Sequence, residues 1–350
     1  MWGRTRTTAR REGGTAPDYP RAPRPYNLSV KPTVSLLLLA LGIGASAVAQ
    51  APRPTPVPDE LPTYTESVGT EYVLLPVVTF DQKGRFAEAL EQKDFKVWVE
   101  GKNVALDTFE RDDAAPVSFA FLVDTSGSMK IASKLDMAKA AIRQIIANRR
   151  PGDDFALFAF ADGELRPIAP FSANPAPLLR GLAELEPEGE TALFDAVAAT
   201  PSRMVEGKNS KRAILLFTDG VDNASHLSNL EMAEILQQVS TPVYAIGMKN
   251  ASFDRLTDEE RSKLSVDNLR MLAASSGGKM YLPGGEEDLG PVAEKISAEV
   301  RKQYLLGFTP SGRGDVNYRF LVVTVIKPGT WDVRARRGYR GTAPVAAAAH

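Results

Sequence analysis

Apolar runs that alternate with helical stretches between residues 116 and 302 constrain the fold more than any other feature of the sequence. The run from 117 to 124 is continuously apolar and ends in Asp124, as expected of a strand buried on both faces of a parallel sheet. Similar runs predict strands over 154–162, 211–220, 242–248 and 279–283. Helices are predicted after the first strand and over 176–185, 191–205, 229–240, 267–278 and 288–304. This alternation predicts an α/β fold with a doubly wound, mostly parallel, Rossmann-like sheet.

The helix after the first strand shows its period most clearly, and Pro151-Gly152 ends it. Its apolar residues recur at helical spacing and define one face: Leu135, Ala138, Ile142 and Ile145. Three basic residues lie off that stripe: Lys134, Lys139 and Arg143. The stripe is the side that we expect to pack against the sheet.

Strand-like patterns flank the α/β region on both sides. Before it, 71–81 predicts a strand and 94–109 a hairpin with its turn at Gly101-Lys102. After it, strands are predicted over 303–310, 318–326 and 331–339. Because a two-stranded hairpin is not stable alone, we expect both sets to form one small antiparallel β-sandwich. The α/β domain, 116–302, is then inserted in or flanked by this sandwich, whose two parts are 64–115 and 303–341.

The first 49 residues have the order of a secretory signal peptide with a long basic region. An apolar run from Thr33 to Ala49 ends in an A-x-A pattern, which predicts cleavage before Gln50. An uncleaved membrane anchor is the alternative, but the run is short of the roughly 20 residues needed to span a bilayer. A proline-rich linker, 50–63, and a frayed tail, 342–350, complete the predicted organisation. The mature protein is therefore expected in the periplasm or secreted, without a membrane span.

Composition excludes several classes of function. The chain has no cysteine, so a disulfide framework, a thiolate metal site and a catalytic thiol are all impossible. Its net charge is −1, which gives no basic surplus to favour nucleic acid as a partner.

Oxygen-bearing side chains follow the predicted strands in three separate loops. Asp124, Ser126 and Ser128 follow the first strand, Thr191 begins a helix, and Asp219 ends a later strand. Since ligands of open α/β sheets bind beyond the carboxyl ends of the strands, these loops are expected to meet at one edge.

These oxygens suit a hard cation such as Mg²⁺, whereas zinc is disfavoured because no cysteine or histidine lies in the loops. Two carboxylates and three hydroxyls leave a coordination position open, which a carboxylate from a protein partner can fill. Gly127 is expected to permit a sharp backbone turn. Further residues are predicted to support the site or line its rim: Gly220, Asp222 and His226. The plainer alternative is that all of these are ordinary polar turns and helix caps.

The segments "FLVDTSGSM", Thr191 and "ILLFTDG" resemble the metal-ion-dependent adhesion site of the von Willebrand factor type A (VWA) domain over roughly residues 116–305. The resemblance implies that Asp124, Ser126, Ser128, Thr191 and Asp219 hold Mg²⁺ or Mn²⁺. The flanking segments are similar to the exported bacterial "VWFA-related, Acidobacterial-type" family, which extends the resemblance to about 68–341.

Three functions remain open at this point. The favoured one is a non-enzymatic exported protein whose metal binds an acidic group of a protein partner. The second is a structural or assembly factor whose metal site only stabilises the fold. The third is a metal-assisted hydrolase with Ser126 or Ser128 as nucleophile and His226 as base, although the G-x-S-x-G motif is absent.

The arginine-rich segment 334–340, "RARRGYR", is a separate feature. It is expected to be a solvated edge whose like charges block strand pairing. Contact with anionic lipid or nucleic acid is the alternative.

Overall fold

The computed structural model describes residues 72–248, 266–284, 288–310 and 318–340, all within one compact unit spanning Pro62–His350. The predicted signal peptide, linker and tail lie outside these residues. In the described part of the chain, no helix combines the length and apolarity needed to cross a bilayer.

Strands and helices appear in the following order along the chain. The strands are β1 (Val73–Asp81), β2 (Phe95–Val99), β3 (Lys102–Val104), β4 (Thr108–Glu110), β5 (Val117–Asp124), β6 (Asp154–Ala161), β7 (Glu164–Ser172), β8 (Lys211–Thr218), β9 (Val243–Gly247), β10 (Met280–Tyr281), β11 (Tyr304–Phe308), β12 (Tyr318–Val325), β13 (Trp331–Arg334) and β14 (Gly338–Arg340). The helices are α1 (Lys134–Ala147), α2 (Ala176–Ala183), α3 (Leu193–Ala199), α4 (Asn229–Leu236), α5 (Val266–Ser275) and α6 (Leu289–Arg301).

The central sheet has six strands in the order β10-β9-β8-β5-β6-β7. All neighbours pair in parallel except β6 and β7, which are antiparallel. Every residue of β5 and β6 is buried, because helices cover both faces of the sheet. The chain runs outward from β5 to β6 on one side and from β8 to β9 on the other. A topological switch point therefore lies between β5 and β8.

Two hydrophobic layers sandwich this sheet. One layer includes side chains of α1, α2 and α6, and the other includes α3, α4 and α5. The predicted apolar stripe of α1 is buried in the first layer. Lys134 and Lys139 lie off that stripe and are nevertheless buried, at 5% and 8% exposure. The apolar periodicity of α1 did not show that loops elsewhere in the chain cover the side of the helix that carries these two lysines.

Two four-stranded antiparallel sheets flank the central one, in the orders β13-β1-β11-β4 and β14-β12-β2-β3. Strands from the two ends of the chain pair directly, with Val73 opposite Phe308 and Leu321 opposite Val99. A separate apolar core fills the space between these sheets. The predicted fold class, a mostly parallel α/β sheet flanked by antiparallel strands from both ends of the chain, is confirmed. The domain boundaries remain predictions.

Three local features differ from expectation. The strand β7 was not predicted. The turn before it, Asp162-Gly163, has positive φ values of 51° and 76°, which are typical of a two-residue hairpin loop. The predicted helix 191–205 is split into α3 and a 3-10 turn, since Pro201 cannot donate the backbone hydrogen bond that an α-helix requires. The turn of the β2–β3 hairpin lies at Glu100-Gly101, one residue earlier than predicted.

The expectation of a solvated arginine edge holds only for Arg337 and Arg340, which are exposed next to or on the edge strand β14. Arg334 is an ion-pair partner of Glu299 on α6, and β14 pairs with β12. Arg336 is buried and donates to the carbonyl oxygens of Leu74 and Gln238. Arg334 and Arg336 therefore join the flanking strands to the α/β region.

Candidate metal centre

Asp124 lies at the carboxyl end of β5, beside the end of β8. The Thr218 hydroxyl donates a hydrogen bond of 2.6 Å to Oδ2 of Asp124 across the two strands. The Ser126 backbone N–H donates to Oδ1 at 2.9 Å. Asp124 is completely buried. The switch point of the sheet is thus occupied by a buried carboxylate.

The loop after β5 places two hydroxyls side by side. Oγ of Ser126 and Oγ of Ser128 are 3.1 Å apart. A 3-10 turn begins at Gly127, and Met129 on this turn is buried in the core. The expectation for Gly127 was wrong, because its φ is not positive and an added Cβ would make only ordinary contact, 3.5 Å from the Gly189 carbonyl oxygen. The turn itself, not glycine's freedom, sets the direction of the serines.

The segment that precedes Thr191 is bonded to this first loop. Glu188 N–H donates to the Thr125 carbonyl at 2.7 Å, and Gly127 N–H donates to the Gly189 carbonyl at 2.9 Å. Gly189 has a φ of +84°, and an added Cβ would lie 2.1 Å from the Asp162 carboxylate. Glycine at 189 is therefore what allows this segment to lie against Asp162, in the turn between β6 and β7.

The loop after β8 is bonded in turn to Thr191, which is only 2% exposed. Thr191 N–H donates to the Asn223 side-chain oxygen at 2.8 Å, and its carbonyl accepts from the backbone N–H of Asn223 and of Ala224 at 3.0 Å. Asp222 accepts from Leu193 N–H at 2.8 Å, so it holds the start of α3. The structure brings the three predicted segments together in a closed ring of hydrogen bonds, with Thr191 joined through its backbone.

Asp219, the last predicted ligand, is paired with a buried lysine. Nζ of Lys134 lies 2.7 Å from Oδ2 of Asp219, and the two side chains are only 6% and 4% exposed. Val221 N–H reaches Oδ1 at 3.3 Å, across a turn in which Gly220 has a φ of +81°. Sequence reasoning missed Lys134, which was assigned only to the side of α1 away from its apolar stripe.

The electrostatic environment differs from that of an ordinary buried acid. Burial raises the pKa of Asp124 from 3.8 to about 6, although hydrogen bonds from Ser126 and Thr218 act to lower it. The nearby charge of Asp219 raises this pKa further. The hydrogen bonds to Asp124 therefore do not offset its burial, and the charged form of this carboxylate is disfavoured.

The donor chemistry fits a hard cation. Within the described residues, no group of three or more His, Cys, Asp or Glu side chains is placed to hold a metal. A cation at this edge therefore depends on two carboxylates supplemented by hydroxyl oxygens, which suits Mg²⁺ or Mn²⁺ better than a metal that needs sulfur or nitrogen.

His226 lies at the rim, bonded to a different carboxylate. Its side chain is 90% exposed, and Nδ1 is 3.0 Å from Oδ2 of Asp195. In the described part of the chain, neither Ser126 nor Ser128 hydrogen-bonds to this imidazole; their hydroxyls contact each other. The nucleophile–base pair that a hydrolase needs is not formed by these residues.

Solved structures with a similar fold come from varied sources. An aerotolerance-related membrane protein from Bacteroides fragilis is 18% identical over 53% of this chain and 99% of its own, with a TM-score of 0.43. A von Willebrand factor type A structure from Catenulispora acidiphila is 14% identical over 79% of this chain and 74% of its own, with a TM-score of 0.43. The mussel byssus protein PTMP1, solved with a zinc-occupied metal-ion-dependent adhesion site, is 18% identical over 58% and 49%, with a TM-score of 0.43.

The sequence comparison is more specific. No curated protein matches the chain significantly. Residues 119–221 match the family model of the von Willebrand factor type A domain, and this range includes all five predicted metal ligands. The resemblance to the Acidobacterial-type family remains a prediction. Over residues 119–221 the chain is therefore similar to the von Willebrand factor type A domain.

Proposed function

We propose that this chain is an exported, non-enzymatic binding protein whose VWA domain uses Mg²⁺ or Mn²⁺ to bind an acidic group of a protein partner. The ion would be held by Asp124, Ser126, Ser128, Thr191 and Asp219. Bound there, it would offer a coordination position to a carboxylate of the partner.

One observation carries this proposal: three loops are bonded into a ring beside a buried carboxylate, Asp124, that has no basic partner among the described residues. Leaving a buried charge underpaired is costly, so a protein gains stability when a cation completes the site. Asp124 and Asp219 with Lys134 give a local charge of −1. A divalent ion changes this to +1, which favours an anionic group on the partner over a cationic one.

Export is supported by the sequence of the first 49 residues alone. Their basic region, apolar run and A-x-A pattern are typical of a signal peptide, which supports a mature protein in the periplasm or outside the cell. N-terminal sequencing of the protein purified from the envelope and from the medium tests this, since cleavage predicts Gln50 as the first residue.

Thermal unfolding with and without metal tests the site. Binding to the folded state alone must raise the melting temperature, by the equivalent of about 2.7 kcal/mol at a metal concentration 100 times Kd. Asp124→Asn is expected to abolish this shift. Asp195→Asn is the matched control, because Asp195 lies on the same rim but bonds His226 and Leu227. A wild-type melting temperature that is the same in chelator and in millimolar Mg²⁺ or Mn²⁺ would refute the metal site.

Cross-linked capture of partners from native extract tests the binding role. We expect a partner to be retained in Mg²⁺ and lost on adding chelator, and to be absent with Asp124→Asn. Asp195→Asn should retain it. The released partner should lose affinity when its own acidic residues are neutralised. Capture that is indifferent to chelator would contradict metal-dependent binding.

A structural or assembly factor is the second candidate, and the Lys134–Asp219 pair is the observation in its favour. An ammonium group already neutralises Asp219 within the buried loops, and a metal ion at Asp124 would serve the fold in the same way. This function predicts that metal raises the melting temperature while partner capture is the same in chelator and with Asp124→Asn.

A further inference from the structure

Among the residues that the structure describes, Lys134 is the positively charged side chain in direct contact with a predicted ligand, Asp219. It begins α1, directly after Ser133, whose φ of 54° is in the left-handed region that non-glycine residues rarely adopt. This conformation joins the 3-10 turn at Gly127–Ser133 to the helix. The chain thus accepts an unfavourable backbone conformation at the point where the lysine enters the site.

The environment of Lys134 differs from that of the second buried lysine on α1. Lys139 donates to two backbone carbonyls, Ala183 at 3.2 Å and Leu185 at 2.7 Å, and so joins α1 to the end of α2. Lys134 instead forms a buried ion pair of 2.7 Å with Asp219. Removing an ammonium group from water is costly unless an opposite charge compensates it, so the pair holds both groups in place. Lys139 is a structural lysine, whereas Lys134 is aimed at a candidate metal ligand.

We propose that Lys134 is a built-in cation of the metal site: its ammonium group neutralises Asp219 when the divalent ion is absent and opposes that ion when it binds. This inference rests on the proposed metal site and adds the residue that sets its affinity. Positive charges near each other in a buried site repel strongly, because little water lies between them to screen the interaction.

Two consequences of opposite sign follow. Without metal, Lys134 stabilises the domain, since Asp219 would otherwise be a buried carboxylate without a counter-charge. With metal, Lys134 weakens binding, because the ion must share Asp219 with an ammonium group or displace it. A lysine that served only the fold would show the first effect and not the second.

Titration calorimetry of Mn²⁺ and Mg²⁺, combined with melting in chelator, tests this with Lys134→Gln. Glutamine retains a hydrogen-bond donor for Asp219 but removes the charge. We expect at least tenfold tighter Mn²⁺ binding than wild type and a lower melting temperature in chelator. Lys139→Gln is the matched control, and its Mn²⁺ affinity should stay within about threefold of wild type, a difference of about 0.6 kcal/mol. Lys134→Arg, which keeps the charge, should also stay close to wild type.

The outcomes separate this inference from the proposed site. Equal Mn²⁺ affinity in wild type and Lys134→Gln overturns the role of Lys134 and leaves the site standing, as does equal tightening by Lys134→Arg. Absence of binding in both overturns both proposals. If Mn²⁺ binds to Lys134→Gln but not to wild type, the result supports the inference, because Lys134 then outcompetes the metal for Asp219. Should Lys134→Gln fail to fold in chelator, folding on addition of Mn²⁺ supports the inference, and failure to fold at millimolar Mn²⁺ overturns it.

Discussion

The two ends of the central sheet both bury aspartates but satisfy them to different extents. At the amino end, Asp153 accepts two hydrogen bonds from the Arg301 guanidinium, at 2.6 and 3.1 Å, and two more from the backbone N–H groups of Arg150 and Val117. At the carboxyl end, Asp124 accepts from Ser126 N–H and the Thr218 hydroxyl. Asp153 has an arginine as its counter-charge, whereas Asp124 is held by hydrogen bonds from uncharged donors.

The pKa values follow this difference. Burial acts to raise the pKa of Asp153, but hydrogen bonds from Arg301, Arg150 and Val117 outweigh it and leave that pKa below its usual value. Burial raises the pKa of Asp124 to about 6, because fewer donors oppose it. Burial of an acid within this sheet therefore does not by itself indicate a site. Incomplete pairing distinguishes the candidate metal centre from a structural ion pair.

Arg301→Met, at the amino end, is expected to have the largest effect on stability. It removes the guanidinium and leaves Asp153 as an uncompensated buried charge, which lowers the free energy of unfolding by about 3–5 kcal/mol. Urea denaturation measures this, and the loss should be the same in chelator and in Mg²⁺. Arg85→Met, which breaks the exposed pair with Asp81, is the control and should change little. A loss below about 1 kcal/mol would mean that the amino end is not held by this pair.

Asp124→Asn, at the carboxyl end, is expected to change stability in the opposite direction. Without metal it should stabilise the domain at pH 7 by up to about 3 kcal/mol, since the charged form of Asp124 is disfavoured in the folded state. A raised folded-state pKa means that wild type loses stability as pH rises from about 4 to about 6 and no further above that. The difference between variant and wild type should therefore grow across this window and then stay constant. Denaturation in chelator from pH 3.5 to 8 measures it.

The contrast with Asp153→Asn sharpens this prediction. Because the pKa of Asp153 is lowered, its charged form is favoured in the folded state, and Asp153→Asn should destabilise the domain at neutral pH. Two aspartate-to-asparagine changes on one sheet are thus expected to have opposite signs. The same sign for both would show that the two carboxylates are satisfied alike.

Thr218→Val has a smaller expected effect at the carboxyl end. It keeps the shape of the side chain but removes the 2.6 Å hydrogen bond to Asp124 and the acceptor of Gly220 N–H. The cost without metal should be about 1–3 kcal/mol, as expected for buried polar groups left unsatisfied. Metal bound at Asp124 should reduce this cost, so melts in chelator and in Mn²⁺ are compared. An equal cost in chelator and in Mn²⁺ would show that Thr218 stabilises the fold and has no part in the metal site.

His226→Ala is expected to have the smallest effect. Its side chain is 90% exposed and pairs with Asp195 at the rim, outside the ring of loops. Neither the melting temperature nor the Mn²⁺ affinity should change, because exposed pairs contribute little. A marked loss of metal binding would extend the site to the rim.

The strands of the parallel core could be predicted because each one is a single, continuous apolar run of the sequence. The strand β5 is predicted to the residue, since burial on both faces demands an unbroken apolar run. The pairing of the flanking strands could be inferred because neither end of the chain supplies enough strands alone. The strand β7 was missed, since Pro167 and Pro170 interrupt its pattern and it lies at an exposed edge.

Residue types and their order along the chain predicted which three loops come together, but the hydrogen bonds that join these loops could not be predicted. The ring depends largely on backbone groups, such as Gly127 N–H and the Thr191 carbonyl, which every residue possesses. Lys134 was missed because its partner, Asp219, is 85 positions away and helical periodicity shows only which face is apolar. Contacts between distant loops decide the environment of such residues.

A crystal structure with Mn²⁺, using the anomalous signal of the metal, is the most direct test of a metal site at the carboxyl end of the central sheet. We expect one strong peak at the carboxyl end of the sheet, within about 2.5 Å of oxygens from Asp124, Ser126 and Ser128, with Asp219 and Thr191 beside it. No such peak is expected at Asp153. A Mn²⁺-saturated crystal with no peak between the loops, or with its strongest peak elsewhere, would contradict a metal site at this edge.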